Sequence, residues 1–129
     1  MSEDDTRFET RAVHAGHAPD VATGAVAPPI HPSTTFVRDA DGDPRAGWVY
    51  SRTDNPTRAT LEAALTALQP GAGAAAAFGS GSAAASAVLR TAPRGGTIVV
   101  PDDMYHGVRA LLMGERDAWG VEVRVVDMA

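Results

Sequence analysis

Residues suited to binding an anion are concentrated in the stretch WVYSRTDNPTR, residues 48–58. Tyr50 and Arg52 stand there, just ahead of the pair Asn55-Pro56. Arginine can bind a phosphate or a carboxylate through two parallel hydrogen bonds. A purely structural interpretation is equally open, in which Asn55 caps a helix, Pro56 begins it and the arginines are solvated.

A second candidate anion site is the Gly-Ser-Gly-Ser run at residues 79–82, which stands between a short apolar segment and an alanine-rich segment. Backbone N–H groups at a helix N-terminus attract anions, and glycine lets a ligand approach the backbone closely. Ser80 and Ser82 add hydroxyl donors. The alternative is a tight strand-to-helix turn with capping serines. The glycine spacing does not match a dinucleotide fingerprint, and the serine spacing does not match a nucleophile elbow.

Tyr105 follows the β-branched run at residues 97–100. That run predicts a buried strand, which places Tyr105 at the carboxyl edge of the sheet, where open α/β sheets bind ligands. A tyrosine at this edge can stack on a planar ligand. The alternative interpretation is a half-buried loop aromatic.

Other polar residues do not form a convincing site. His14, His17 and Asp20 lack the helix and the close third partner that a metal site needs, so no metal is expected. The Asp102-Asp103 pair is expected to be solvated. The chain contains no cysteine, and all eleven of its basic residues are arginine. The absence of lysine excludes a P-loop lysine, a lysine base and a Schiff-base lysine.

Composition narrows the class of protein. The 129 residues are 44% hydrophobic but only 5% aromatic, and the net charge is −5. Without a basic stripe, no nucleic-acid partner is expected. No apolar run reaches membrane-spanning length, and the acidic start does not resemble a signal peptide. These features predict a cytoplasmic protein without a membrane partner.

Residues 1–55 are predicted to form an ordered extended arm that packs on another subunit. Prolines and glycines are frequent there and disfavour helix. The large side chains Ile30, Phe36, Trp48 and Tyr50 are uncommon in a disordered tail.

Residues 56–129 are predicted to be the first part of an α/β domain, with a mostly parallel sheet flanked by helices. Asn55-Pro56 starts the first helix, whose apolar stripe is Leu61, Leu65 and Leu68, and Gln69-Pro70-Gly71 ends it. The later elements are predicted as a strand at 74–78, a helix at 83–89, a strand at 97–100, a helix carrying Val108, Leu111 and Leu112, and a strand at 121–125.

The chain resembles the N-terminal third of the Cys/Met-metabolism pyridoxal-phosphate (PLP) enzymes, the family of cystathionine gamma-synthase, cystathionine gamma-lyase and methionine gamma-lyase. The resemblance extends over nearly the whole chain and rests on TRAVHAG, APPIHPSTTF, YSRTDNPTR, LEAALTALQPGAGAAAAFGSGSAAA, PDDMYHGVR and VRVVDMA. It implies the fold of the large domain of aspartate-aminotransferase-like enzymes.

The resemblance also implies roles for individual residues. Tyr50 and Arg52 match the pair that reaches the phosphate of the neighbouring subunit's cofactor. Gly81 and Ser82 match the backbone amides that hold the phosphate of the chain's own cofactor, beside the Ser80 hydroxyl. Tyr105 matches the tyrosine that stacks on the pyridine ring. The family is expected to form dimers or tetramers.

Three residues depart from the family pattern. Ser82 replaces a methionine, His106 replaces a glycine, and Asp54 stands where a small residue is common. The family's Schiff-base lysine has no counterpart here, so the chain contains no catalytic residue and is expected to be inactive alone.

The resemblance implies beta- or gamma-elimination, or gamma-replacement, on sulfur amino acids such as cystathionine or activated homoserine. The alternatives are a non-catalytic α/β anion-binding module, a degenerate remnant of the enzyme, or a nucleotide-binding domain. The nucleotide-binding domain is disfavoured by the glycine spacing and by the missing lysine.

Overall fold

The computed structural model describes residues 7–128. The chain separates into two compact units that divide between Ala77 and Phe78. The first contains helices α1 (Phe8–His14) and α2 (Pro56–Leu68). The second contains α3 (Gly81–Leu89), β1 (Thr97–Pro101), α4 (His106–Trp119) and β2 (Glu122–Val126). No helix in the described part of the chain is long and apolar enough to cross a membrane.

Helix α2 begins where its sequence predicts. The Asn55 side chain accepts a hydrogen bond from the Thr57 N–H, and Pro56 occupies the first helical turn. Proline is favoured there because its missing N–H would have no helical partner. The chain leaves the helix at Gln69, and Gly71 adopts a left-handed φ of +75° just beyond it. Glycine takes this conformation without steric strain.

Helix α1 was not predicted; within the extended arm expected at residues 1–55, residues Phe8–His14 are helical. It is only seven residues long and has no side-chain N-cap. Its stability therefore depends on packing against α2 rather than on local signals. The chain passes close to α2 at Gly16, where an added Cβ would lie 2.6 Å from the Thr60 carbonyl oxygen.

The segment between α1 and α2 contains several hydrogen-bonded turns and no regular strand. Two isolated antiparallel bridges, Thr35 with Tyr50 and Arg38 with Pro44, fold part of it back on itself. The Phe36 and Trp48 rings lie 6.4 Å apart between centroids. These contacts order the arm without a regular sheet.

The prediction of a strand at 74–78 was wrong, because these residues have no regular secondary structure. Alanine is a poor strand former, and no described strand pairs with this segment. The Ala77 N–H instead donates to Glu62 Oε1 at 2.8 Å.

The second unit confirms the predicted parallel pairing. Strands β1 and β2 run parallel, with Thr97 opposite Glu122 and Pro101 opposite Val126. Helix α4 connects them, and Gly120 ends it with a left-handed φ of +68°. Helix α3 packs on α4.

The buried core is small. The buried hydrophobic side chains of the described residues are Val100, Leu112 and Val121, all in the second unit. On α2, Leu61 is 51% exposed and Leu65 is 45% exposed. The predicted apolar stripe is therefore present on this helix, but contacts within the described chain leave much of it uncovered.

Candidate functional site

Tyr50 and Arg52 lie at the end of the extended arm, in the first unit. The bridge to Thr35 fixes the backbone at Tyr50, and the next residue, Ser51, donates its N–H to the Thr34 carbonyl at 2.8 Å. The Tyr50 carbonyl then accepts the N–H groups of Thr53 and Asp54 at 2.9 and 3.0 Å. Arg52 thus lies in a tight, hydrogen-bonded turn just ahead of α2.

The Arg52 guanidinium has no hydrogen-bond acceptor and no carboxylate partner among residues 7–128. Its carbon lies 4.7 Å from the centroid of the Tyr50 ring, a cation–π distance. The side chain is exposed. Arg52 is therefore an ordered cation whose hydrogen-bond donors remain free for a ligand.

Arg58, the other arginine of the same stretch, is used in the fold. It donates to the carbonyls of Ser51 and Thr53 at 3.2 and 2.6 Å. It also forms ion pairs with Asp54 at 3.4 Å and Glu62 at 3.7 Å. Its role is to tie the turn that carries Arg52 to helix α2.

Asn55 does more than the sequence indicated. Besides capping α2, its amide nitrogen donates to the His31 carbonyl at 3.1 Å and to Ser51 Oγ at 3.2 Å. It is the buried polar residue of the described chain, with 8% exposure. Sequence reasoning recognised the cap but not the link to residue 31, which is distant in the chain.

The Gly-Ser-Gly-Ser run forms the N-terminus of α3 in the second unit. Ser80 is the N-cap, and its Oγ accepts the Ala83 N–H at 3.1 Å. The N–H groups of Gly81 and Ser82 have no acceptor within the described chain. A Cβ added at Gly81 would meet nothing within 4 Å, and both residues are exposed.

Tyr105 lies between the carboxyl end of β1 and the first turn of α4, as predicted from the sequence. It is 65% exposed, and its ring centroid lies 4.8 Å from that of His106, at an interplanar angle of 58°. The loop before it is fixed at Asp102, whose N–H donates to the Val126 carbonyl and whose carbonyl accepts from Arg109, both at 3.0 Å. An exposed ring on an ordered loop can stack on a planar ligand.

The remaining polar candidates form no second site. No group of three metal-ligating side chains occurs among residues 7–128, and His14 and His17 carry no such cluster. Asp20 belongs to a local turn in which Thr23 donates both its hydroxyl and its N–H to the carboxylate, at 2.6 and 3.0 Å. These bonds, chiefly the one from the hydroxyl, hold the pKa of Asp20 below its ordinary value.

Comparison with known proteins places these features in a family. A profile described as "Cys/Met metabolism PLP-dependent enzyme" matches residues 9–129. A cystathionine gamma-synthase of Mycobacterium tuberculosis is 47% identical over 100% of this chain and 35% of its own length. A cystathionine gamma-lyase of Saccharomyces cerevisiae is 38% identical, over 93% of this chain and 30% of its own.

A solved structure of a related protein has the same fold as this chain. The crystal structure of metB from Corynebacterium glutamicum matches with a TM-score of 0.85 and 38% identity, covering 98% of this chain and 33% of that one. The chain thus spans about a third of the length of the proteins it matches, and its architecture is an incomplete α/β domain of their type. By sequence and by fold, the chain belongs to the Cys/Met-metabolism family of PLP-dependent enzymes.

Proposed function

We propose that this chain supplies the phosphate-binding and ring-stacking residues of a PLP-dependent enzyme acting on sulfur amino acids. The reaction would be beta- or gamma-elimination, or gamma-replacement, on a substrate such as cystathionine or activated homoserine. One observation carries the proposal: in a chain of this family, groups suited to a phosphate are left without protein partners within the described residues. They include the Gly81 and Ser82 amides and the Arg52 guanidinium.

The donors at the start of α3 fit a phosphate. The amides of Gly81 and Ser82 lie at the positive end of the helix, where an anion is stabilised. The Ser80 hydroxyl accepts from Ala83 but keeps its proton for a phosphate oxygen, and no protein partner of the Ser82 hydroxyl occurs within the described chain. The side chain that replaces the family's methionine at Ser82 leaves these backbone donors intact.

Tyr105 is proposed to cover one face of the pyridine ring. PLP, when bound, supplies the electron sink for chemistry at the substrate's α-carbon. A stacked tyrosine would fix the plane of that ring and keep water from one side of it. The exposure of Tyr105 and its position after β1 support this role.

Tyr50 and Arg52 are proposed to bind the phosphate held by a second copy of the chain, in a homodimer or in a tetramer of dimers. A free guanidinium offers paired donors in a plane, which suits phosphate oxygens. Its contact with the Tyr50 ring restrains it before the ligand arrives, so less side-chain entropy would be lost on binding.

Proton transfer at the substrate requires a group that these 129 residues do not contain. There is no lysine in the chain, and therefore no side-chain amine to form a Schiff base. We infer that the chain is inactive alone and that activity requires polypeptide that provides the lysine.

The test uses the assembled enzyme, meaning this chain together with the polypeptide that provides the lysine. The PLP affinity of its Arg52→Ala variant is measured by equilibrium dialysis. Loss of a charge-assisted hydrogen bond corresponds to a dissociation constant about 10- to 100-fold higher. Arg45→Ala is the matched control, because Arg45 is exposed in the same unit and paired with Asp39 at 2.8 Å. Unchanged affinity in Arg52→Ala, or equal losses in both variants, would refute the phosphate role of Arg52.

A further inference from the structure

The ring of Tyr105 lies directly against Gly107 in the first turn of α4. A Cβ added at Gly107 would lie 2.8 Å from Cε1, 3.4 Å from Cζ and 3.5 Å from Cδ1 of that ring. Carbon atoms in contact are separated by about 3.5–4.0 Å, so the closest of these approaches is a clash. The ring and a side chain at residue 107 cannot share this space.

The backbone does not explain the glycine. Residue 107 is helical, and its φ lies outside the left-handed region. Alanine would fit this conformation and would favour the helix, since glycine is among the poorest helix formers. Gly114 in the same helix differs, because an added Cβ there meets nothing within 4 Å. What distinguishes Gly107 is the tyrosine ring above it.

We propose that Gly107 is a positioning residue for Tyr105. The missing side chain lets the ring lie over the first turn of α4, where His106 contacts it and most of its surface remains open. An alanine would push the ring outward, because the ring is the mobile partner and the helix backbone is fixed. The inference rests on the proposed stacking of Tyr105 on PLP and identifies the residue that sets the ring's position.

The experiment compares Gly107→Ala, Gly114→Ala, Tyr105→Ala and the double variant Tyr105→Ala/Gly107→Ala in the assembled enzyme. PLP affinity is measured by dialysis, and cofactor orientation by its visible circular dichroism. Stacking of an aromatic side chain on a planar ring contributes enough that Tyr105→Ala should weaken PLP binding about tenfold. Gly107→Ala should weaken it about threefold to tenfold and reduce the dichroic band, while Gly114→Ala should leave both unchanged.

Stability separates positioning from damage to the fold. Both glycine-to-alanine exchanges remove backbone freedom in a helix and should leave Tm unchanged or raise it by about 2–4 °C. A variant that is more stable yet binds PLP less well cannot owe its defect to unfolding. In the double variant, Gly107→Ala should cause no further loss beyond Tyr105→Ala, since its effect passes through the ring.

The outcomes distinguish this inference from the proposed function. Equal PLP affinity of the unsubstituted protein and Tyr105→Ala would refute the stacking role, and with it the inference. A loss in Tyr105→Ala with full affinity and an unchanged dichroic band in Gly107→Ala would refute the inference alone. NMR contacts between the ring protons and residue 107, unchanged in Gly107→Ala, would also refute it.

Discussion

Replacing Asn55 tests whether one side chain fastens the extended arm to helix α2. Its Oδ1 accepts the Thr57 N–H at 2.9 Å, and its Nδ2 donates to the His31 carbonyl at 3.1 Å and to Ser51 Oγ at 3.2 Å. A longer and weaker contact joins Nδ2 to the Ser33 carbonyl at 3.5 Å. The residue is 8% exposed, so water does not readily replace these partners.

The expected cost follows from these bonds. Loss of an asparagine N-cap costs about 1 kcal/mol. Each of the two hydrogen bonds from Nδ2 contributes a further ~1 kcal/mol, because the partner left behind is partly desolvated. Asn55→Ala should therefore lower the free energy of unfolding by about 3 kcal/mol. Asn55→Ser keeps a capping oxygen but cannot reach His31, so it should cost about 2 kcal/mol.

The assay is urea unfolding of the three proteins, followed by circular dichroism, with midpoints compared at a common slope. The expected order of stability is Asn55, then Ser, then Ala. An Asn55→Ser variant as stable as the parent would refute the claim that the amide nitrogen ties the arm to α2. If Asn55→Ala and Asn55→Ser lost equal stability, the cap would contribute nothing.

Two further outcomes are expected. Thr23→Val removes the hydroxyl that lowers the pKa of Asp20, so in an NMR titration this pKa should rise toward its ordinary value. A carboxyl group whose pKa is lowered in the folded state stabilises the fold at pH values above its unfolded-state pKa, and this stability is lost as the pH falls through the folded-state pKa. The variant should lack this part of the acid dependence of stability. An unchanged pKa of Asp20 in Thr23→Val would contradict the prediction. Separately, the chain treated with PLP and borohydride should carry no label on any side chain, because it has no lysine; mass spectrometry that mapped a label to a side chain would disprove this.

The elements predicted correctly are those with strong local signals. Helix α2 has an N-cap, an N-terminal proline and a leucine stripe, and β1 is a β-branched run between turns. Helix α1 lacks such signals and depends on contact with α2. The strand predicted at 74–78 was wrong because an alanine run has little strand propensity of its own. It becomes a strand only where a neighbouring strand pairs with it.

The sequence predicted which residues belong to the candidate site but not the contacts that they make. Tyr50, Arg52, the Gly-Ser-Gly-Ser run and Tyr105 were found from chemistry, spacing and resemblance. Sequence could not show that the Gly81 and Ser82 amides lack acceptors among the described residues, because that depends on where the Ser80 hydroxyl points. It also could not reveal the contact between Gly107 and the Tyr105 ring, since glycine in a helix has no signature of its own.

The two arginines of WVYSRTDNPTR, Arg52 and Arg58, have the same side chain but different roles in the structure. Arg58 points back at the turn and is neutralised by Asp54 and Glu62, which makes it part of the scaffold. Among residues 7–128, the partner of the Arg52 guanidinium is the Tyr50 ring, which attracts a cation without using its hydrogen-bond donors. Contacts within the fold stabilise an exposed, unpaired guanidinium only slightly. A bound anion that matches its planar donors would stabilise it much more, through charge-assisted hydrogen bonds. The scaffold arginine thus holds the turn, and under the proposed function the turn presents Arg52 to a phosphate.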